Sequence, residues 1–145
     1  MERIVVGVDG SDDGRRALQW AVREGGLRGA LVEAIHVWHE PYMGANPMLT
    51  PAYPDPEPFE RAARSTLERE IASVDQSGLP QLVEPVVLRG TPAAALIDRA
   101  NGADLVVVGT RGLGGFTGLL LGSVSHQLTH HAPCAVVIVR GETGR

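Results

Sequence analysis

Apolar residues along this chain gather in short runs. Arg3–Val8, Leu31–Trp38, Leu105–Val108 and Cys134–Val139 are each rich in valine or isoleucine and bounded by Gly, Asp or Pro. Strands buried on both faces of a parallel sheet read this way, because neither face leaves room for alternating polar residues. A fifth run, Leu82–Leu88, contains Pro85. Proline has no N–H to give to a ladder, so this strand is predicted near an edge of the sheet.

Between the runs the apolar spacing changes to three and four residues. After the first strand, Ser11 is a candidate N-cap, Asp12 and Asp13 follow in the first turn, and Ala17, Leu18, Ala21 and Val22 form a stripe; Gly25-Gly26 is expected to stop this helix. A second helix carries Phe59, Ala62, Ala63, Thr66, Leu67, Ile71 and Val74 and is expected to end near Gly78 and Pro80. A third opens at Thr91-Pro92 and turns Leu96, Ile97 and Ala100 to the core, and a fourth starts at Ser123. Strand and helix therefore alternate through the chain, which predicts an α/β fold: a single doubly wound five-stranded parallel sheet with helices on both faces, in one domain over residues 1–145. The stretch from His39 to Pro58 holds six prolines and neither period. It reads as a long surface loop over 40–57.

In such a sheet, ligands sit outside the carboxyl ends of the strands. The first strand is followed there by Asp9-Gly10-Ser11, the second ends at Val37-Trp38-His39, and the fourth runs into a segment where six of the 18 glycines fall between Gly109 and Gly122. Glycine lets backbone N–H groups come close to a bulky anion, and Ser123 then opens a helix whose unpaired N–H groups attract negative charge. The combination suits a phosphate. It does so without an ammonium group, since the sequence contains no lysine.

Gly109-x-x-Gly112, nine residues, then Gly122-Ser123 resembles the ATP-binding signature of universal stress proteins. The resemblance extends to the Ile4–Ser11 start, to His36-Val37 and to the Pro133–Val139 close. It implies strand order 3-2-1-4-5 in an adenine nucleotide alpha hydrolase-like fold, and a nucleotide-dependent regulatory module in stress response that takes ATP, with Mg2+ as an optional companion. Carried over to this sequence, it implies that Asp9, with Gly10 and Ser11 beside it, lies at the adenosine end, and that Val37 meets adenine through its backbone. Gly109 and Gly112 wrap ribose and phosphates, and Gly122, Ser123, Val124 and Ser125 hold the phosphate chain. Arg111 stands at a variable position of the motif; its guanidinium has the chemistry to reach a phosphate bidentately. The resemblance also implies a homodimer through the last strand, 134–139, which would cover an apolar edge.

Other chemistries find less support. Without lysine there is no Walker A motif, and no G-x-S-x-G elbow follows a strand. A phosphoacceptor domain needs an aspartate closing the third strand, where Leu88-Arg89-Gly90 stands. His126 and His130 have i, i+4 spacing but no acidic partner between them, so surface histidines are expected rather than a metal site. His36, inside an apolar strand, is expected to be hydrogen-bonded and structural; Trp20 and Trp38 are expected as core or pocket wall, with Trp38 and His39, just after strand two, a second choice for flanking a purine. No residue is assigned a catalytic role. Two alternatives stay open: an interaction module of the same fold with no significant nucleotide binding, and a slow ATPase or other ATP-using enzyme. A formal charge of −4 with no basic stripe argues against nucleic acid. Met1 leads directly into the first strand, no run reaches the roughly 20 residues needed to cross a bilayer, and Cys134 is the only cysteine. A cytoplasmic, reducing setting is expected.

Overall fold

The computed structural model describes residues 1–39, 55–110 and 121–141. The expected alternation is present: β1 (Arg3–Gly7), α1 (Asp12–Arg28), β2 (Leu31–Trp38), α2 (Glu57–Ala72), β3 (Glu84–Arg89), α3 (Pro92–Arg99), β4 (Leu105–Gly109), α4 (Ser123–His131) and β5 (Ala135–Val139). All five strands run parallel in the order β3-β2-β1-β4-β5. Pro85 lies in an edge strand, as its missing N–H requires.

The strand order determines where the helices go. From β1 the chain steps outward to β2 and β3, then returns across β1 to β4 and β5. Right-handed crossovers in opposite directions put their helices on opposite faces. Accordingly Ala17, Leu18 and Val22 of α1 and Leu67 and Ile71 of α2 pack with Ile4, Val6, Val32, Ala34 and Val107 on one face. Leu96 and Ala100, from and just after α3, pack with Leu128 of α4 and with Val5, Ile35, Val106 and Val108 on the other. Neighbouring residues of one strand serve different cores, the two-residue period of a pleated strand. The order reverses between β1 and β4, so the carboxyl ends of these two strands flank the crevice in which such sheets bind ligands.

Several boundaries differ from the sequence expectation. Gly25-Gly26 does not stop α1, which continues to Arg28 and ends at Gly29, a left-handed C-cap with φ 64°. The two glycines are there for close approach. A Cβ on Gly25 would lie 2.6 Å from Val32 Cγ2 and 2.9 Å from Leu79 Cδ2, and one on Gly26 would lie 3.1 Å from Gly78 O. α2 starts at Glu57, inside the expected 40–57 loop, with Pro at its first turn, and stops at Ala72 rather than near Gly78. Val74 nonetheless packs on the core from the following turn, so the apolar stripe outlasts the helix. Leu82 precedes β3 and is exposed. Residues 40–54 of the expected loop lie outside the described residues.

Near the amino ends of the strands, one buried carboxylate joins three elements. Glu33 of β2 accepts from Arg3 Nη1 of β1 at 3.0 Å and from Arg99 Nε of α3 at 2.9 Å. Arg3 also donates to the carbonyls of Arg99 and Asn101, and its N–H reaches Asp104 Oδ2 at 2.8 Å. The end of α3 is thereby tied to the sheet. Among the described residues no helix is long and apolar enough to cross a membrane.

Candidate functional site

At the carboxyl end of β1, the main chain is held from β2. Val8 N–H donates to Ile35 O at 2.8 Å, and the His36 ring, a residue of β2, reaches back to Val8 O with Nδ1 at 2.8 Å. A carbonyl only accepts, so Nδ1 carries the proton. His36 thus has the structural role expected of it. Next comes Gly10, at φ 85°, a left-handed conformation that lets the chain turn into α1.

Asp9 Oδ1 accepts from the N–H of Ser11 at 3.0 Å and from its hydroxyl, while Ser11 Oγ accepts from Gly14 N–H at 3.1 Å. The carboxylate lies over the first turn of α1 so closely that a Cβ on Gly14 would stand 2.7 Å from Asp9 Oδ1. Ser11 is the N-cap, and Asp9 orients it. With Asp12 and Asp13 in the same turn, the positive end of α1 is already answered by its own acid groups.

The start of α4 is built in the opposite sense. Its N-cap is Gly122, which has no side chain to accept a bond and makes no capping contact. Ser123 is exposed, Val124 packs on the α3/α4 core, and Ser125 is buried with its hydroxyl on Thr110 O at 3.1 Å and Gly122 O at 3.0 Å. Of these side chains, Ser123 faces solvent and Ser125 is engaged internally.

β4 delivers the third part. A Cβ on Gly109 would come within 2.8 Å of the backbone carbon and oxygen of Asp13, so the first turn of α1 rests directly against this glycine. Arg111 and Gly112, singled out in the sequence, lie outside the described residues. Thr110 was not singled out. It is buried, its hydroxyl donates to Asp13 Oδ2 at 2.9 Å, and Asp13 Oδ1 pairs with Arg16 at 3.0 Å. Its one sequence signal was that it is the first polar residue after an apolar strand.

Val37 is half-buried in β2, in register with Leu88. Ile35 O accepts from β1, whereas Trp38 O accepts from Gly90 N–H on the β3 side at 2.8 Å. Backbone groups alternate sides along a parallel strand, so the N–H and C=O of Val37 point toward β1, beyond the last bond that β1 makes. Trp38 belongs to the opposite face. Its ring stacks on Phe59 at 6.4 Å and has the Arg89 guanidinium 5.8 Å from its centroid. This places the indole under α2, as expected of a core or wall residue; His39 is exposed.

The remaining candidates stand apart. His126 and His130 touch edge to face at 4.7 Å on the exposed side of α4, and among the described residues no group of three or more His, Cys, Asp or Glu is placed to hold a metal ion. Burial raises the pKa of the Cys134 thiol, which keeps it protonated and packed on the α3/α4 core.

The profile of the universal stress protein family matches residues 1–140. A universal stress protein of Thermus aquaticus is 36% identical over 143 residues, covering 94% of this chain and 97% of its own. One from Mycolicibacterium smegmatis is also 36% identical, over 137 residues, and this chain spans 45% of its length. A solved universal stress protein in complex with cAMP is 27% identical with a TM-score of 0.66, covering 96% of each chain. The five-stranded order, the turn at Asp9 and the uncapped start of α4 thus come with sequence similarity over nearly the whole length, and the chain belongs to the universal stress protein family.

Proposed function

We propose that this protein binds an adenine nucleotide at the carboxyl ends of β1, β2 and β4 and works as a nucleotide-dependent regulatory module in stress response, with ATP as its ligand. The observation that carries the reading is the contrast between the two helix starts. Acid groups already fill the start of α1, so it repels phosphate and offers acceptors to hydroxyl groups. The glycine-capped start of α4 offers N–H groups and the positive end of a dipole. A nucleotide meets both demands in one orientation, with ribose toward Asp9 and phosphates toward Ser123 and Val124.

Each remaining residue then has a role. The backbone of Val37 presents a donor and an acceptor for the edge of adenine, and Gly10 keeps the turn beside Asp9 free of a side chain. Gly109 brings the first turn of α1 against the end of β4, Gly122 leaves the helix start open, and Ser125 fixes it from inside. Arg111 and Gly112 complete the motif in sequence. Among the described residues no acidic cluster stands ready for Mg2+, so a magnesium ion would be carried by the phosphates. The reading is one of binding rather than turnover, in the cytoplasm. The solved relative in complex with cAMP supports an adenine nucleotide as the ligand class.

Calorimetric titration of the nucleotide-free protein with ATP, AMP and cAMP, with Mg2+ present, is expected to show saturable binding. Asp9→Asn is expected to weaken it by about tenfold, the worth of one hydrogen bond to a charged acceptor. Absence of heat at millimolar ligand would remove the reading and favour the interaction module.

We also propose self-association through β5. Val136, Val137, Ile138 and Val139 are half-exposed on an edge strand. Val139 O accepts from Thr110 N–H, so alternation turns the backbone groups of Val136 and Ile138 outward. Sedimentation is expected to show a dimer at micromolar concentration. Val136→Pro, which removes an outward donor and no bond to β4, is expected to shift it to monomer.

A further inference from the structure

Thr110 has every polar atom committed, each to a different part of the fold. Its N–H donates to Val139 O at the end of β5 at 3.2 Å. Its hydroxyl donates to Asp13 Oδ2 in the first turn of α1 at 2.9 Å. Its carbonyl accepts from Gly122 N–H and from the Ser125 hydroxyl, both at the start of α4. One buried residue therefore joins β5, α1 and α4 at the carboxyl end of β4. Gly141, just beyond β5, closes over the same junction, where a Cβ would fall 2.5 Å from Asp13 Oδ1 and 2.7 Å from Arg16 Nη1.

We propose that Thr110 is a positioning residue for the anion site at the start of α4. Its carbonyl uses up the N–H of the N-cap, so the next N–H groups in line are the ones left to a ligand, and their direction depends on where Thr110 stands. Alignment of several N–H groups on one phosphate is lost over fractions of an ångström. The hydroxyl sets that position by fastening Thr110 to Asp13. It has a second effect of the same sign. Asp13 is a carboxylate near a site meant for an anion, and Arg16 on one oxygen with Thr110 on the other holds its charge in place. The binding arm of this inference rests on the reading given above; the exchange arm does not.

Thr110→Val keeps the shape and removes the hydroxyl, and Thr110→Ser restores it. In nucleotide-free protein followed by amide hydrogen exchange, Gly122 N–H is expected to exchange about tenfold faster in Thr110→Val than in wild type, with wild-type protection recovered in Thr110→Ser. Titration with ATP is expected to show affinity lowered about tenfold in Thr110→Val and within about twofold of wild type in Thr110→Ser. Unchanged exchange at Gly122 in Thr110→Val would overturn the proposal, as would a Thr110→Ser variant that behaves like the valine. If wild type takes up no nucleotide, the functional reading fails while exchange at Gly122 still decides this one.

Discussion

Gly109→Ala is expected to lower folding stability by about 3 kcal/mol, measured by urea unfolding with an unchanged m-value. The added methyl would stand 2.8 Å from three atoms of Asp13, two of them backbone. Side-chain ends can rotate out of a clash of this size; a helix turn cannot, and α1 or β4 must shift as a unit. The displaced turn is the one that carries Asp13 and, through it, Thr110, so nucleotide affinity should fall as well. Gly78→Ala is the matched control. Nothing lies within 4 Å of its added Cβ, and its stability should stay within about 0.5 kcal/mol of wild type. A Gly109→Ala protein as stable as this control would mean that α1 does not rest on β4 as described.

The second large effect is expected at the other end of the sheet. Glu33→Gln keeps the size of the side chain and leaves the guanidinium groups of Arg3 and Arg99 facing an uncharged amide. Removing one partner of a buried ion pair typically costs 3 to 5 kcal/mol, roughly. Arg3 and Arg99 keep 22% and 38% of their side chains exposed, so water screens part of the loss, and about 2 kcal/mol is expected. Thermal or urea unfolding measures it. Nucleotide affinity should stay within about twofold of wild type, because the triad sits near the amino ends of the strands and the proposed site at their carboxyl ends. A large loss of binding without loss of stability would contradict this separation.

The sheet was legible because burial on both faces leaves a signature in single runs such as Leu105–Val108, and Pro85 marked an edge through its missing donor. Helix ends were less so. Gly25-Gly26 reads as punctuation, yet the reason for glycine there is a contact with Val32 and with Gly78, the latter about fifty positions along the chain and invisible to any local rule. Val74 misled in the reverse direction, since an apolar residue in a turn can face the same core as the helix before it. In the candidate site, glycine and the cap at Ser11 announced themselves by type. Thr110 and Asp13 did not, because what distinguishes them is a hydrogen bond between residues 97 positions apart. By residue type alone, Asp13 reads only as a charge favouring the helix start.

The two rims of the sheet are unequal. β3 presents Glu84 and Arg89 to solvent and carries Pro85, whereas β5 offers valine and isoleucine. A strand that docks on β5 by a two-fold operation uses up the receptive rim of both molecules, and the guarded rim that remains gives the next molecule a gap in its ladder and a pair of charges. If the proposed pairing through β5 forms, growth by this route terminates at two copies instead of running on into a fibre, and crowding the protein should raise the share of pairs without seeding longer stacks.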